Sequence, residues 1–144
     1  MSSVFMVAVD CSECAGRAID YAVKRARESD ARLYVAHVIE WSQYSFSTAM
    51  ENAERHKRRE EELQRAHSEI VDPIVNQLKE EGLDVEGLVR HGHIADTLNE
   101  LAKSRGVTNI ILGRQGTSKL KAHVFGSVGS RLVQSADCPV TVVP

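Results

Sequence analysis

The chain has 144 residues, enough for one domain with its own core, and its 42% hydrophobic and 26% charged residues are ordinary for a globular protein. These proportions exclude wholesale disorder, and eighteen Lys and Arg against twenty Asp and Glu leave a formal charge of −2, too little to draw in nucleic acid or an anionic membrane. No run approaches the ~20 apolar residues of a bilayer span. The stretch from Met1 to Cys14 lacks the basic start and apolar length of a signal peptide, so a cytoplasmic chain without membrane insertion is expected.

Val4 to Val9 is an unbroken apolar run ending at Asp10, the pattern of a parallel strand covered on both faces. From Ala15, apolar residues at Ala18, Ile19, Ala22, Val23 and Ala26 recur at helical spacing, with Ser12 as the expected N-cap. Leu33 to Val38 reads as a second strand and completes a right-handed βαβ unit. Trp41 to about Met50 is polar and aperiodic, a loop in which Ser42 to Met50 is expected to be mobile. A long helix follows. Charges of both signs from Glu54 to Glu62 give it a solvated face, and Leu63, Ala66, Ile70, Ile74 and Leu78 supply a buried stripe. Pro73 kinks or restarts this helix and Gly82 ends it.

Val85, Gly87 and Val89 mark a weaker strand suited to a sheet edge. The next helix runs from Ile94 through Leu98 and Leu101 to a stop at Gly106. Val107 to Leu112 is a fourth strand, leading into Gly113-Arg114-Gln115-Gly116 and a polar, basic segment from Thr117 to His123. A last helix beginning near Gly126 would bury Val128, Leu132 and Val133, and Val140 to Val143 is a short final strand. The alternation predicts a single α/β domain over residues 1–144, a doubly wound five-stranded parallel sheet with helices on both faces, without repeat or linker.

In an open parallel sheet, ligands bind beyond the carboxyl ends of the strands where the winding reverses. Two segments qualify: Asp10-Cys11-Ser12 after the first strand and Gly113 onward after the fourth. Glycines after a strand let backbone N–H groups approach phosphate oxygens, because no Cβ intervenes. Gly126-Ser127 opens a helix whose free N–H groups and dipole favour an anion. The residues Gly113, Gly116, Gly126 and Ser127 together spell G-x-x-G, nine residues, then G-S.

This pattern resembles that of the universal stress protein family, in its ATP-binding branch. The resemblance extends to Val7-Ala8-Val9-Asp10 with Ser12-Glu13, to Ala36-His37-Val38, to Gly92, and to Cys138-Pro139-Val140-Thr141-Val142-Val143. It implies a flavodoxin-like strand order, 3-2-1-4-5, and an ATP site split between the first and fourth strands. By position, Asp10 would meet the adenosine part, Val9, Val38 and Leu112 would line the adenine pocket, and Gly113 and Gly116 would lie against ribose and phosphates. Gly126, Ser127 and Val128 would hold phosphate. Similar proteins pair two copies of the last strand, which implies a homodimer through Val140 to Val143. Cys11, Ala8, Arg114 and Gly129 depart from the family's usual residues, and none of these changes removes a phosphate donor.

The expected function is that of a nucleotide-responsive regulatory or stress-response module binding ATP, with or without Mg2+, and acting on an unidentified protein partner. No catalytic residue and no metal ligand is assigned, since there is no Walker A lysine and no evident base. Other readings stay open: a weak ATPase, a Cys11/Cys14 C-x-x-C oxidoreductase, or a nucleotide-free dimeric adaptor. Asp10 also fits a helix cap, His37 a packing residue at a strand end, and His91 with His93 a pair lacking a third metal ligand. Arg114, Lys119, Lys121 and His123 are the cations near the glycine loop. Arg114 is the best placed for phosphate, against the alternative that it points to solvent.

Overall fold

A computed structural model of the chain describes residues 2–10, 16–40, 49–114 and 128–144, with side chains for all of these except 49–51. Five parallel strands form one sheet: β1 (Val4–Ala8), β2 (Arg32–Glu40), β3 (Val85–Gly92), β4 (Asn109–Gly113) and β5 (Val140–Val143). Their order is β3-β2-β1-β4-β5, so the winding reverses between β1 and β4, and β3 and β5 form the two edges. The apolar runs of the central strands are explained by their two buried faces. Phe5 and Val7 of β1, Leu33 and Val35 of β2 and Ile111 of β4 pack under α1 (Gly16–Ser29) and α3 (Asp72–Glu80). Their alternates Met6, Tyr34, Ala36, Ile110 and Leu112 pack under α4 (Ile94–Arg105) and Leu132 of α5 (Ser130–Ser135).

Helix ends follow the sequence signals with one exception. Gly106 closes α4 at φ 66°, and the Val107 N–H returns to the Ala102 carbonyl at 2.9 Å. At the end of α1 the same left-handed position is held by Asp30, φ 50°, with the Ala31 N–H reaching Ala26 O at 2.9 Å. The short polar side chain of Asp makes that conformation tolerable where most L-residues would strain.

The long helix begins earlier than expected, at Ala49, so Ala49 and Met50 belong to α2 (Ala49–Ala66) rather than to a loop. It restarts at the proline as expected, with Pro73 in the first turn of α3. A π-helical turn at His67–Val71 precedes α3, and the Asp72 N–H bonds to His67 O. The widened turn admits an extra residue just before the proline, whose ring would otherwise meet the preceding turn. Along α2 the charged residues are exposed from Asn52 onward with few exceptions, and burial resumes at Ala66.

Val133 is a correction: it is 58% exposed, whereas Leu132 is fully buried. A six-residue helix presents one narrow face to the sheet, which Leu132 occupies, while Val128, two residues before the helix, packs against the same core. The expected N-cap Ser12, the pair Cys11 and Cys14, most of the loop after Trp41, and the segment from Thr117 to His123 lie outside the described residues.

Candidate functional site

At the reversal point, the carboxyl ends of β1 and β4 diverge and leave a cleft. Its floor is Ala8, Val9 and Asp10 on one side and Leu112 and Gly113 on the other. Ala36 and Val38 of β2 add a second wall, Ile94 and Leu98 of α4 a third, and Val128 stands across the top. The cavity proper is small, about 60 Å³ against the roughly 300–1,000 Å³ of small-molecule sites, and it opens directly to solvent at its mouth. The walls are almost wholly apolar and Asp10 is the one carboxylate among the described lining residues. Such a surface suits a flat heteroaromatic group against the aliphatic walls, with a hydroxyl-bearing group at the carboxylate.

Local structure explains how these side chains converge. Alternation along β2 sends Ala36 and Val38 to the same face, and helical spacing does the same for Ile94 and Leu98. The start of α4 is fixed by Gly92, whose φ of 150° is reserved to glycine, followed by His93 in extended conformation. Helix α5 is pinned to α4 by Asn99, which donates to Ser135 O at 3.1 Å, and by the Arg131–Asp96 pair at 3.2 Å. Both partners of that ion pair are exposed, so it orients more than it stabilises.

Of the residues expected at a ligand, Val9, Asp10, Val38, Leu112, Gly113 and Val128 are brought together in this one cleft. Arg114 is exposed and does not line the cleft, and its backbone N–H is occupied by Val143 O at 2.8 Å. Gly116, Gly126 and Ser127 lie outside the described residues. Ala8, Ala36, Ile94 and Leu98 join the lining without having been expected at the ligand. The available signals were the two-residue step from Val38 to Ala36 and the four-residue step from Ile94 to Leu98.

His37 and His91 are engaged structurally. His37 Nδ1 lies 2.7 Å from Val9 O, and His91 Nε2 lies 3.2 Å from Arg59 O, tying β3 to α2. Among the described residues no group of three or more His, Cys, Asp or Glu is arranged to hold a metal ion. Cys138 sits at the opposite end of the sheet from the cleft, beside the amino end of β5. Burial raises its thiol pKa, the hydrogen bond with the Ile110 backbone lowers it, and the nearby Asp137 charge raises it; the net shift is upward. That thiol stays protonated at neutral pH. No helix among the described residues is long and apolar enough to cross a membrane.

Fold and cleft together define an open, doubly wound α/β protein with an apolar cleft at its switch point. The family model of the universal stress protein family matches residues 1–144, and the chain belongs to that family. Universal stress protein YxiE of Bacillus subtilis is 30% identical over 147 residues, covering 99% of each chain. Universal stress protein UspA from Lactobacillus plantarum superposes with a TM-score of 0.76 at 23% identity, over 99% of this chain and 97% of the other. A universal stress protein family protein from Arabidopsis thaliana with AMP bound gives 0.62 at 22% identity, over 98% and 90%. Two further solved structures of similar fold are complexes with dAMP and with cAMP, at TM-scores of 0.64 and 0.62 and identities of 18% and 22%.

Proposed function

We propose that this chain binds an adenine nucleotide, ATP in the first instance, in the cleft between β1 and β4 and acts as a nucleotide-responsive regulatory module. The observation that supports this most is the cleft itself: apolar walls at the switch point with Asp10 at the rim. The base would lie between Val9, Val38 and Leu112, and a ribose hydroxyl would donate to the Asp10 carboxylate. The phosphates would run toward Gly113 and the G-S pair Gly126-Ser127. Nucleotide-bound members of similar fold support the choice of an adenine ligand. Mg2+, where present, would be carried by the phosphates, since Asp10 is the lone carboxylate among the described lining residues. Binding rather than turnover is the proposed activity, because Asp10 is assigned to the ribose and no second base stands among the described lining residues to activate a water.

Calorimetric titration with ATP, AMP and adenosine tests the reading. Saturable binding of all three is expected, and no binding by folded protein would refute it. Arg114→Ala separates the phosphate contribution. If the exposed guanidinium swings onto the phosphates, the variant should lose about 1.5–3 kcal/mol for ATP and little for adenosine. Unchanged ATP affinity would leave Arg114 a solvent-facing residue.

Homodimerisation through β5 belongs to the same proposal. The β3 edge is guarded by charge: Arg90 donates to the Val89 carbonyl at 2.9 Å, and Glu86 pairs with Arg32 at 3.3 Å. The β5 edge is four residues long, half-buried and apolar but for Thr141, and it offers ladder groups to a second copy. Light scattering at micromolar concentration should give twice the chain mass of 15.9 kDa. A monomer mass would remove β5 as an interface.

A further inference from the structure

Strand β1 ends at Ala8, so Val9 and Asp10 enter the cleft beyond the last regular rung, Ala8 opposite Ala36. Both backbone groups of Val9 are nevertheless held by β2. Its N–H donates to Ala36 O at 2.8 Å, and its carbonyl lies 2.7 Å from Nδ1 of His37. A carbonyl only accepts, so Nδ1 carries the proton; in the neutral ring Nε2 is then the acceptor. The Val9 carbonyl and the Asp10 N–H are two ends of one planar peptide. A bond to that carbonyl therefore sets the plane from which the Asp10 side chain departs. Alternation places His37 on the sheet face opposite Ala36 and Val38, and it is not among the residues lining the cleft.

The geometry points to His37 as a positioning residue for the ligand site: from the far face of the sheet it locks the Val9–Asp10 peptide so that the carboxylate stands at the cleft rim. This role rests on the nucleotide reading above. A main-chain rung could not do the same work, because it would continue the strand instead of letting the chain turn into the cleft.

The test is calorimetry with AMP on the wild type, His37→Val, His37→Asn, Asp10→Ala and the double variant Asp10→Ala/His37→Val. Asn carries an amide nitrogen at the same distance from Cα as Nδ1 and restores the donor, whereas Val favours the strand but donates nothing. His37→Val should weaken AMP about five- to tenfold and His37→Asn less than about twofold, the scale of one hydrogen bond. In the Asp10→Ala background His37→Val should change nothing further, because the group it positions is gone. Equal losses in His37→Val and His37→Asn, or an unchanged affinity in folded His37→Val, would overturn the role. Ring nitrogen NMR gives a readout independent of any variant's folding: Nδ1–H is expected, and a neutral ring protonated on Nε2 alone would contradict the bond. If wild-type protein binds no AMP, the nucleotide reading falls and this role with it; binding by the wild type and by His37→Val alike removes His37 alone.

Discussion

Truncating Leu98 to Ala should destabilise the fold by about 2–5 kcal/mol and also weaken adenine-nucleotide binding. Leu98 is 1% exposed, packed in the core under α4, and at the same time forms part of the cleft wall. Its isobutyl group therefore serves two surfaces. Leu101, one turn further along the same helix, is 6% exposed and lies in the same core cluster without lining the cleft. Leu101→Ala should cost stability on the same scale yet leave AMP affinity unchanged. Chemical denaturation gives the stability of both, and calorimetry below their unfolding transitions gives the affinities. For Leu98→Ala a loss of at least about 1 kcal/mol in binding is expected from the apolar contact removed. Equal AMP affinity in the two variants would show that α4 contributes no wall to the ligand.

Replacing Gly87 by Val should destabilise the protein by about 2–3 kcal/mol, even after the roughly 0.5–1 kcal/mol recovered from glycine's chain entropy. Gly87 lies in β3 where the π-helical turn crosses the sheet. A Cβ built there would stand 2.3 Å from Val71 Cγ1 and 3.2 Å from Val75 Cγ2. Val71 is fully buried and cannot swing its methyl into solvent. The absent side chain is what lets helix and edge strand approach. A double-mutant cycle isolates that contact: Gly87→Ala with Val71→Ala should be less destabilised than the sum of the single changes, because the vacated methyl leaves room for the new Cβ. Additive losses would place the strain elsewhere.

Much of this architecture is legible in the chain because burial leaves a direct mark. Val4 to Val9 and Ile110 to Leu112 are continuous apolar runs for the reason that helices cover both sheet faces. Gly82 and Gly106 end their helices because the left-handed conformation suits glycine. Strand–helix alternation dictates a parallel sheet but leaves its order open; the family resemblance supplied 3-2-1-4-5. Asp10 and Gly113 as candidates follow from the rule that ligands sit at carboxyl ends, whereas Val9, Val38 and Leu112 rest only on the family resemblance.

Other features carry no local signature. Ile94 and Leu98 read as members of a buried stripe, and only the docking of α4 turns that stripe into a cleft wall. Ala8 and Ala36 are small residues whose value is the space they leave beside the strand ends. The π-helical turn adds one residue to a helix without changing its composition. Val133 looks like its neighbour Leu132 until the shortness of α5 limits how many side chains can face the sheet. His37 bonds to a carbonyl 28 residues earlier, a contact that belongs to tertiary structure alone.

The most direct measurement is a two-dimensional amide NMR titration of the wild-type chain with AMP and ATP. The amides of Val9, Asp10, Val38, Gly113 and Val128 should shift together and saturate, while Ile19, Val23, Gln77 and Leu78, which line the separate groove between α1 and α3, stay in place. Saturable shifts confined to the α1–α3 groove, or none on any residue at millimolar nucleotide, would contradict a nucleotide site between β1 and β4.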